Sequence, residues 1–289
     1  MVEPLNLVNN VKGRLTLAFE NQSGQTILKV QRQEPPLKVV RAFPLPGGAA
    51  LVHLHNLSGG VLGGDRLETR VELAPGTAAQ VTSTSATRLY RSNQAGLVSG
   101  QLNEFLVGEN ARLEYLPDPL IPFAGARYRQ HTRIELAPGA GLFWWETVAP
   151  GREARGEIFE YDLVELSLSL TGEGHPIALE QARLEPALRP LTSTARLGRY
   201  RYFTTFYMCR VGLEKAVWSQ LETGLNELAG RLTVPGETLW GASSLATGGV
   251  VVRAVSRNGR ALTTGLLAMG KLGKQELYGQ AAIPPRKIY

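Results

Sequence analysis

Glu72-Leu73-Ala74-Pro75-Gly76-Thr77-Ala78-Ala79-Gln80-Val81 and Glu135-Leu136-Ala137-Pro138-Gly139-Ala140-Gly141-Leu142-Phe143-Trp144 open on the same five residues. In both, apolar alternation runs into a Pro-Gly pair and resumes after it, which reads as strand, tight turn, strand. Pro46-Gly47-Gly48-Ala49-Ala50-Leu51-Val52 and Val107-Gly108-Glu109-Asn110-Ala111-Arg112-Leu113 repeat the pattern, and the glycines at 47, 76, 108 and 139 step by 29, 32 and 31 residues. A period of about 30 residues made of strand, glycine turn and strand is the signature of stacked sheets. The predicted fold is therefore mainly β, an elongated β-solenoid-like stack.

Aligning the four units on their glycines gives ladders. Ala50, Ala79, Ala111 and Leu142 form one rung, and Val52, Val81, Leu113 and Trp144 form the next on the same face. Side chains two apart share a face, so the third rung is Leu54, Ser83, Tyr115 and Glu146. The first two rungs are apolar and belong inside, which carries Ser83 and Glu146 inside with them. A buried carboxylate is costly unless it is paired, bound to metal or wetted. The alternate face, with Leu51, Gln80, Arg112 and Phe143, then His53, Thr82, Glu114 and Trp145, reads as outer or partner-facing. His53 and His55 have no third ligand near them in sequence and read as an exposed pair.

Around this array, Leu15, Leu17 and Phe19 alternate as a strand, and Thr26 to Val30 returns as a hairpin. Residues 157 to 170 alternate again, and Ile177 to Leu184 returns after the Gly172-Glu173-Gly174-His175-Pro176 turn with Glu180 inside it. Two stretches in the C-terminal third are helical: Leu213, Val217, Leu221, Leu225 and Leu228, with Gly230 placed to stop the helix, then Leu262, Leu266, Met269 and Leu272. Residues 239–245 and 249–255 between them read as two strands. The organisation is one domain over 1–289: a β-rich array at 11–184, mixed strands and two α-helices at 185–280, and an extended tail at 281–289.

The densest glycine stretch, Ser58-Gly59-Gly60-Val61-Leu62-Gly63-Gly64-Asp65-Arg66-Leu67, lacks the Lys-Ser/Thr of a phosphate loop and the G-x-G-x-x-G spacing of a dinucleotide site. It reads as a double turn that presents Asp65 at a fixed place. The 289 residues are 43% hydrophobic and 19% charged, the balance of a folded protein, with a net charge of +6. The basic residues are dispersed, which argues against a nucleic-acid arm and leaves two readings, a solvated basic surface and a preference for an acidic protein partner. Cys209 is the single cysteine and no apolar leader or membrane-length apolar run is present, so a cytosolic protein is expected, with no membrane span. No G-x-S-x-G, H-E-x-x-H or C-x-x-C occurs. Asp65, Glu146 and Glu180 leave one enzymatic alternative, a β-solenoid polysaccharide-cleaving enzyme using paired carboxylates.

Gly59-Gly60 with Gly63-Gly64-Asp65, Thr87-Arg88-Leu89-Tyr90-Arg91-Ser92, Leu116-Pro117-Asp118-Pro119 with Ile121-Pro122-Phe123, and the Pro284-Pro285-Arg286-Lys287-Ile288-Tyr289 ending together resemble the urease accessory protein UreD (UreH) family. Asn56-Leu57-Ser58 departs from the His-Pro type lead-in that the family often shows, so the local turn can differ. The resemblance implies an extended β-rich fold with two helices and a non-catalytic scaffold that helps load nickel into apo-urease. It further implies a complex with the helical partner UreF, the GTP-hydrolysing UreG and the urease apoprotein, homodimeric through that complex. No tightly bound cofactor is implied, only nickel in transit along an internal wet passage. On matching positions, Asp65, Glu146 and Glu180 are its expected metal-contacting carboxylates, and Ser83 and Thr87 its lining. Arg286, Lys287 and Tyr289 in the tail are expected to meet a partner.

Overall fold

The computed structural model describes residues 11–92, 94 and 96–285. The chain begins with β1 (Lys12–Gln22), β2 (Gln25–Glu34), β3 (Leu37–Lys38), β4 (Ala42–Pro44) and β5 (Ala50–Asn56). Next come β6 (Arg66–Leu73), β7 (Ala78–Ser83), β8 (Thr87–Leu89), β9 (Ser99–Val107), β10 (Arg112–Tyr115), β11 (Leu120–Pro122), β12 (Arg127–Leu136) and β13 (Gly141–Val148). β14 (Leu163–Gly172), β15 (His175–Leu184) and β16 (Tyr202–Arg210) lead to helix α1 (Lys215–Leu232), the hairpin β17 (Thr238–Ser244) and β18 (Val250–Ser256), and helix α2 (Gly259–Tyr278).

The strands form two sheets, one in the order β15-β14-β12-β9-β6-β1-β2, the other following β17-β18-β16-β13-β10-β7-β5-β3. Three arches, β6 to β7, β9 to β10 and β12 to β13, each cross from the first sheet to the second. Their strands pair in parallel with those of the neighbouring arch. Antiparallel strands flank them: β2 and β15 in the first sheet, and β16, β18 and β17 in the second. The chain is mainly β with two helices, as the sequence predicts, but the sheets are mixed and a solenoid-like coil is not established along the chain.

At each arch the chain reverses through a four-residue turn, closed by Thr77 N to Ala74 O, Ala111 N to Gly108 O and Ala140 N to Ala137 O at 3.0–3.2 Å. The third residue of each turn takes positive φ: Gly76 at 69°, Asn110 at 53° and Gly139 at 68°. Asparagine tolerates this left-handed geometry better than most non-glycine residues. The turn residue of the middle arch is thus Asn110 and not Gly108, which corrects the predicted register. Ala50 pairs with Ala79, Ala79 with Leu113, and Leu113 with Leu142; Val52, Val81, Tyr115 and Trp144 form the next ladder. The slip is two residues, a full pleat repeat, so every inward side chain stays inward.

Leu17, Phe19, Val71, Phe105, Leu113 and Leu142 fill the space between the sheets. A second core lies behind the second sheet, where Phe143, Trp145, Phe206 and Met208 meet Trp218, Leu221, Leu225 and Met269 of the helices. The face read as outer or partner-facing is therefore covered. Leu51, Gln80, Glu114 and Phe143 are buried, and so is His53, whose ring stands edge-on to Phe43, so His53 and His55 are not an exposed pair. Gly230 lies within α1, which continues to Leu232 with Thr233 as its cap, instead of ending the helix. The strand expected from residue 157 begins at Leu163. Asn258 caps α2 by accepting from Arg260 N, and Gly279 closes its other end at φ 61°.

Candidate functional site

Alternation puts Ser99, Gln101, Asn103, Phe105 and Val107 of β9 on one face, and Tyr128, Gln130, Thr132, Ile134 and Leu136 of β12 beside them. Both strands point this face at the second sheet. It is apolar near the arches' turns and polar at the opposite end of the sheets. Buried amides must find partners, and these find one another. The Tyr128 hydroxyl lies 3.0 and 2.9 Å from the Gln101 and Gln130 side-chain oxygens, which share its single proton. Gln101 Nε2 donates to Asn103 Oδ1 at 2.9 Å, and Gln130 Nε2 donates to Glu146 Oε1 across the gap between the sheets.

Glu146, on β13, faces a cavity of about 30 Å3 that it shares with Glu180 of β15 and with Trp144, Leu168 and Thr205. Burial pushes the Glu146 carboxyl up to about 7; the Gln130 amide pulls it back, and the Glu180 charge adds to the rise. Glu180 accepts from the Tyr207 hydroxyl and from Thr205 Oγ1, and Arg253 Nη2 lies 3.5 Å from it on the solvent side. The Tyr207 phenol is pushed upward, first by burial and then by its bond to Glu180. The two carboxylates expected from sequence to share a site are thus brought together. Glu180 is itself partly buried.

A second cavity, of about 70 Å3, lies at the other end of this polar chain, where Gln101 and Tyr115 form part of its wall. Ser83, Thr84, Ser85 and Thr87 line it with hydroxyls, beside Gly59, Gly60 and His55. The Ser83 hydroxyl lies 3.2 Å from Asp118 Oδ2 and accepts from Asp118 N at 2.8 Å. His55 is held below its ordinary value, first by burial and then by His53 and Lys38, which disfavours the protonated ring. Gly60 is required here: a Cβ would stand 2.4 Å from Arg88 O and 2.5 Å from the Tyr90 ring.

Asp65 stands apart from both cavities. It is 1% exposed, with Oδ1 accepting from Val11 N at 3.1 Å and Oδ2 from Leu62 N at 2.9 Å. Both oxygens are engaged in closing the glycine double turn onto β1, so the residue is presented to backbone rather than to a passage. Arg286, Lys287 and Tyr289 lie outside the described residues. Among the described residues no cluster of three or more His, Cys, Asp or Glu could hold a metal ion, and no helix is long and apolar enough to cross a membrane. The cavity at Glu146 and Glu180 has room for about one water, far less than a sugar ring, so this pair does not support the polysaccharide-cleaving alternative.

The family model described as UreD urease accessory protein matches residues 11–288. The chain belongs to this family. Its UreD relatives include the urease accessory protein UreD of Herpetosiphon aurantiacus, 45% identical over 98% of both chains. That of Deinococcus radiodurans is 34% identical over 95% of this chain and 94% of its own. The UreD protein of Pseudomonas entomophila is 30% identical over 99% and 96%. The UreD assignment ties the chain to urease maturation. Gln101, Tyr128 and Gln130, which link the two cavities, belong to no motif quoted above. Their signal was present in Tyr128-x-Gln130-x-Thr132-x-Ile134-x-Leu136, an inward face that changes from polar to apolar partway along one strand.

Proposed function

We infer that this chain is a non-catalytic scaffold of urease maturation, working in the cytoplasm to help deliver nickel into apo-urease. In this reading it acts within a homodimeric complex with a UreF-type helical protein and a UreG-type GTPase. The observation that carries it is the polar seam between the sheets. The hydroxyl-lined cavity at Ser83 and Thr87 connects through Gln101, Tyr128 and Gln130 to the paired carboxylates Glu146 and Glu180, inside an otherwise apolar core. A plain core would place aliphatic side chains there, because each buried polar group costs free energy unless satisfied.

Carboxylate and hydroxyl oxygens hold a divalent ion weakly enough to pass it on, and two carboxylates without a third ligand suit transit better than storage. Glu146 and Glu180 contact the cargo ion, and Ser83 and Thr87 line the entry. Asp65 supports the route by fixing the glycine loop at the cavity wall. The test replaces Glu146 and Glu180 together, by Ala and by Trp, and compares thermal stability, co-purification with the UreF and UreG homologues, and nickel content of urease. The expected result is a folded, complex-forming protein that lowers urease nickel, with the Trp pair more severe. Full urease activation by the folded Trp pair would falsify the route.

A further inference from the structure

Between β15 and β16 the chain runs Pro186-Ala187-Leu188-Arg189-Pro190-Leu191-Thr192-Ser193-Thr194-Ala195-Arg196-Leu197-Gly198-Arg199-Tyr200-Arg201, with four arginines and no acidic residue. Many arginines elsewhere are balanced, though Arg41, Arg88, Arg91, Arg155, Arg231 and Arg260, spread along the chain, are exposed and also make no ion pair among the described residues. Across the outer face of the first sheet, Arg14 meets Glu68, Arg70 meets Glu72 and Glu104, and Arg129 meets Glu165. Arg201 is likewise paired with Glu153. Arg189, Arg196 and Arg199 are exposed and make no ion pair among the described residues. The Glu185 carboxylate, already bonded to Arg183, feels Arg189 only through space.

The loop is not loosely held. Leu191 is 3% exposed and anchors it, and the backbone closes on itself through Arg196 N to Ser193 O, Leu197 N to Leu191 O and Gly198 N to Ser193 O, each at 3.0 Å. Three unbalanced guanidinium groups on a self-bonded loop form a preorganised cationic surface, which lowers the ordering cost of binding. The loop leads into Tyr202, Phe203 and Thr205 on β16, and Phe203 and Thr205 line the Glu146–Glu180 cavity.

We propose that Arg189, Arg196 and Arg199 form a docking surface for an acidic protein face, placing that partner beside the Glu146–Glu180 end of the seam. A single-stranded nucleic acid would ask for exposed aromatic rings to stack on, and the loop offers only the half-buried Tyr200; a duplex, which needs only cations, is left to the test below. A membrane surface would ask for several apolar anchors, and Leu188 is the single large one exposed on the loop. Guanidinium forks suit carboxylates, and complementary charge sets the rate and salt dependence of association.

The choice of probe rests on the accessory role proposed above: purified urease apoprotein, titrated with the full-length chain at about 50 and about 300 mM NaCl. The variant Arg189→Glu, Arg196→Glu, Arg199→Glu should weaken binding about tenfold or more at low salt and flatten the salt dependence. The matching triple Lys variant keeps the charge but not the fork, so it should keep the salt dependence while binding more weakly than the parent. A triple Ser variant, which adds no repulsion, covers the case in which the Glu variant melts early, and should also weaken binding. Unchanged affinity and salt dependence in the Glu and Ser variants overturns the proposal. So does loss of binding to duplex DNA or anionic vesicles while urease binding persists. If deleting the gene abolishes urease activation but the variants bind as the parent does, the accessory role stands and this surface alone falls.

Discussion

Glu146 is asked to be a carboxylate where the surroundings favour a neutral acid. Its raised value, about 7 against an unfolded value near 4.5, fixes the sign of its effect. Below about pH 4.5 both states are protonated and the residue is neutral in effect; as pH rises toward 7 the unfolded chain ionises first, and stability falls. Glu146→Gln should therefore match the parent at about pH 4.5 and be more stable by roughly 3 kcal/mol at about pH 8. Urea melts at the two pH values measure it, and a constant difference between them would refute the assignment. Asp65 works in the opposite direction. Asp65→Ala leaves Val11 N and Leu62 N without an acceptor and should cost about 1–3 kcal/mol, read as a lowered melting temperature. The inward position of Glu146 could be read from the period of two alone. The engagement of Asp65 could not, because its partner Val11 lies 54 residues away and only the parallel pairing of β1 with β6 brings them together.

Among the elements, the arches make the strongest demand on local geometry. Gly76 and Asn110 occupy equivalent turn positions with φ of 69° and 53°, and a Cβ on Gly76 would meet nothing within 4 Å. Space is therefore not the issue and backbone strain is. Gly76→Val should cost about 1–2 kcal/mol, whereas Asn110→Gly should stay within about 0.5 kcal/mol of the parent, both measured by chemical denaturation. Taking glycine as the turn marker in the sequence moved the middle unit by two residues, since asparagine fills the same conformation less conspicuously. The helices were legible by period, but Gly230 did not end α1, because one glycine costs a helix only about 1 kcal/mol and packing of Trp218, Leu221, Leu225 and Ala229 outweighs it. Helix α2 carries a feature that periodicity does not reveal. Lys274 is 4% exposed and reaches Glu114 Oε1 at 2.7 Å, while Gln80 and Arg112 hold the same carboxylate at 3.2 and 3.3 Å. Lys274→Met strands part of that buried charge and should cost about 3 kcal/mol, seen as a lower denaturation midpoint.

The molecule as a whole has three layers: the first sheet, the second sheet and the helix pair. The seven-stranded sheet shows solvent a field of ion pairs, whereas the back of the second sheet is roofed by α1, α2 and the strip that follows them. Gln80 Nε2 donates to Ile283 O at 2.8 Å and Arg112 Nη1 to Gln280 Oε1 at 2.9 Å, which lays the strip over an apolar groove containing Phe143, Trp145 and Phe206. Removing residues 281–289 should uncover that groove, lower the melting temperature by a few degrees, and weaken co-purification with the UreF homologue; unchanged complex yield would exclude the strip from that contact. This third layer was the least legible part of the architecture. Alternation within a strand separates two faces, but it does not say which later segment returns to cover the second one.

Parallel strands stacked one arch upon the next have no intrinsic last rung, since the outer edge of each arch offers the pattern that the following one used. In this chain the first sheet ends on both sides in a strand that runs backwards. β2 places the Arg32–Glu34 ion pair on one flank, and β15 carries Pro176, which has no N–H to give, on the other. Edges of this kind disfavour strand pairing between copies. A chain starting at Leu37 would present the bare edge of β6 to other copies and should assemble into thioflavin-positive fibrils at concentrations where the full chain stays dispersed.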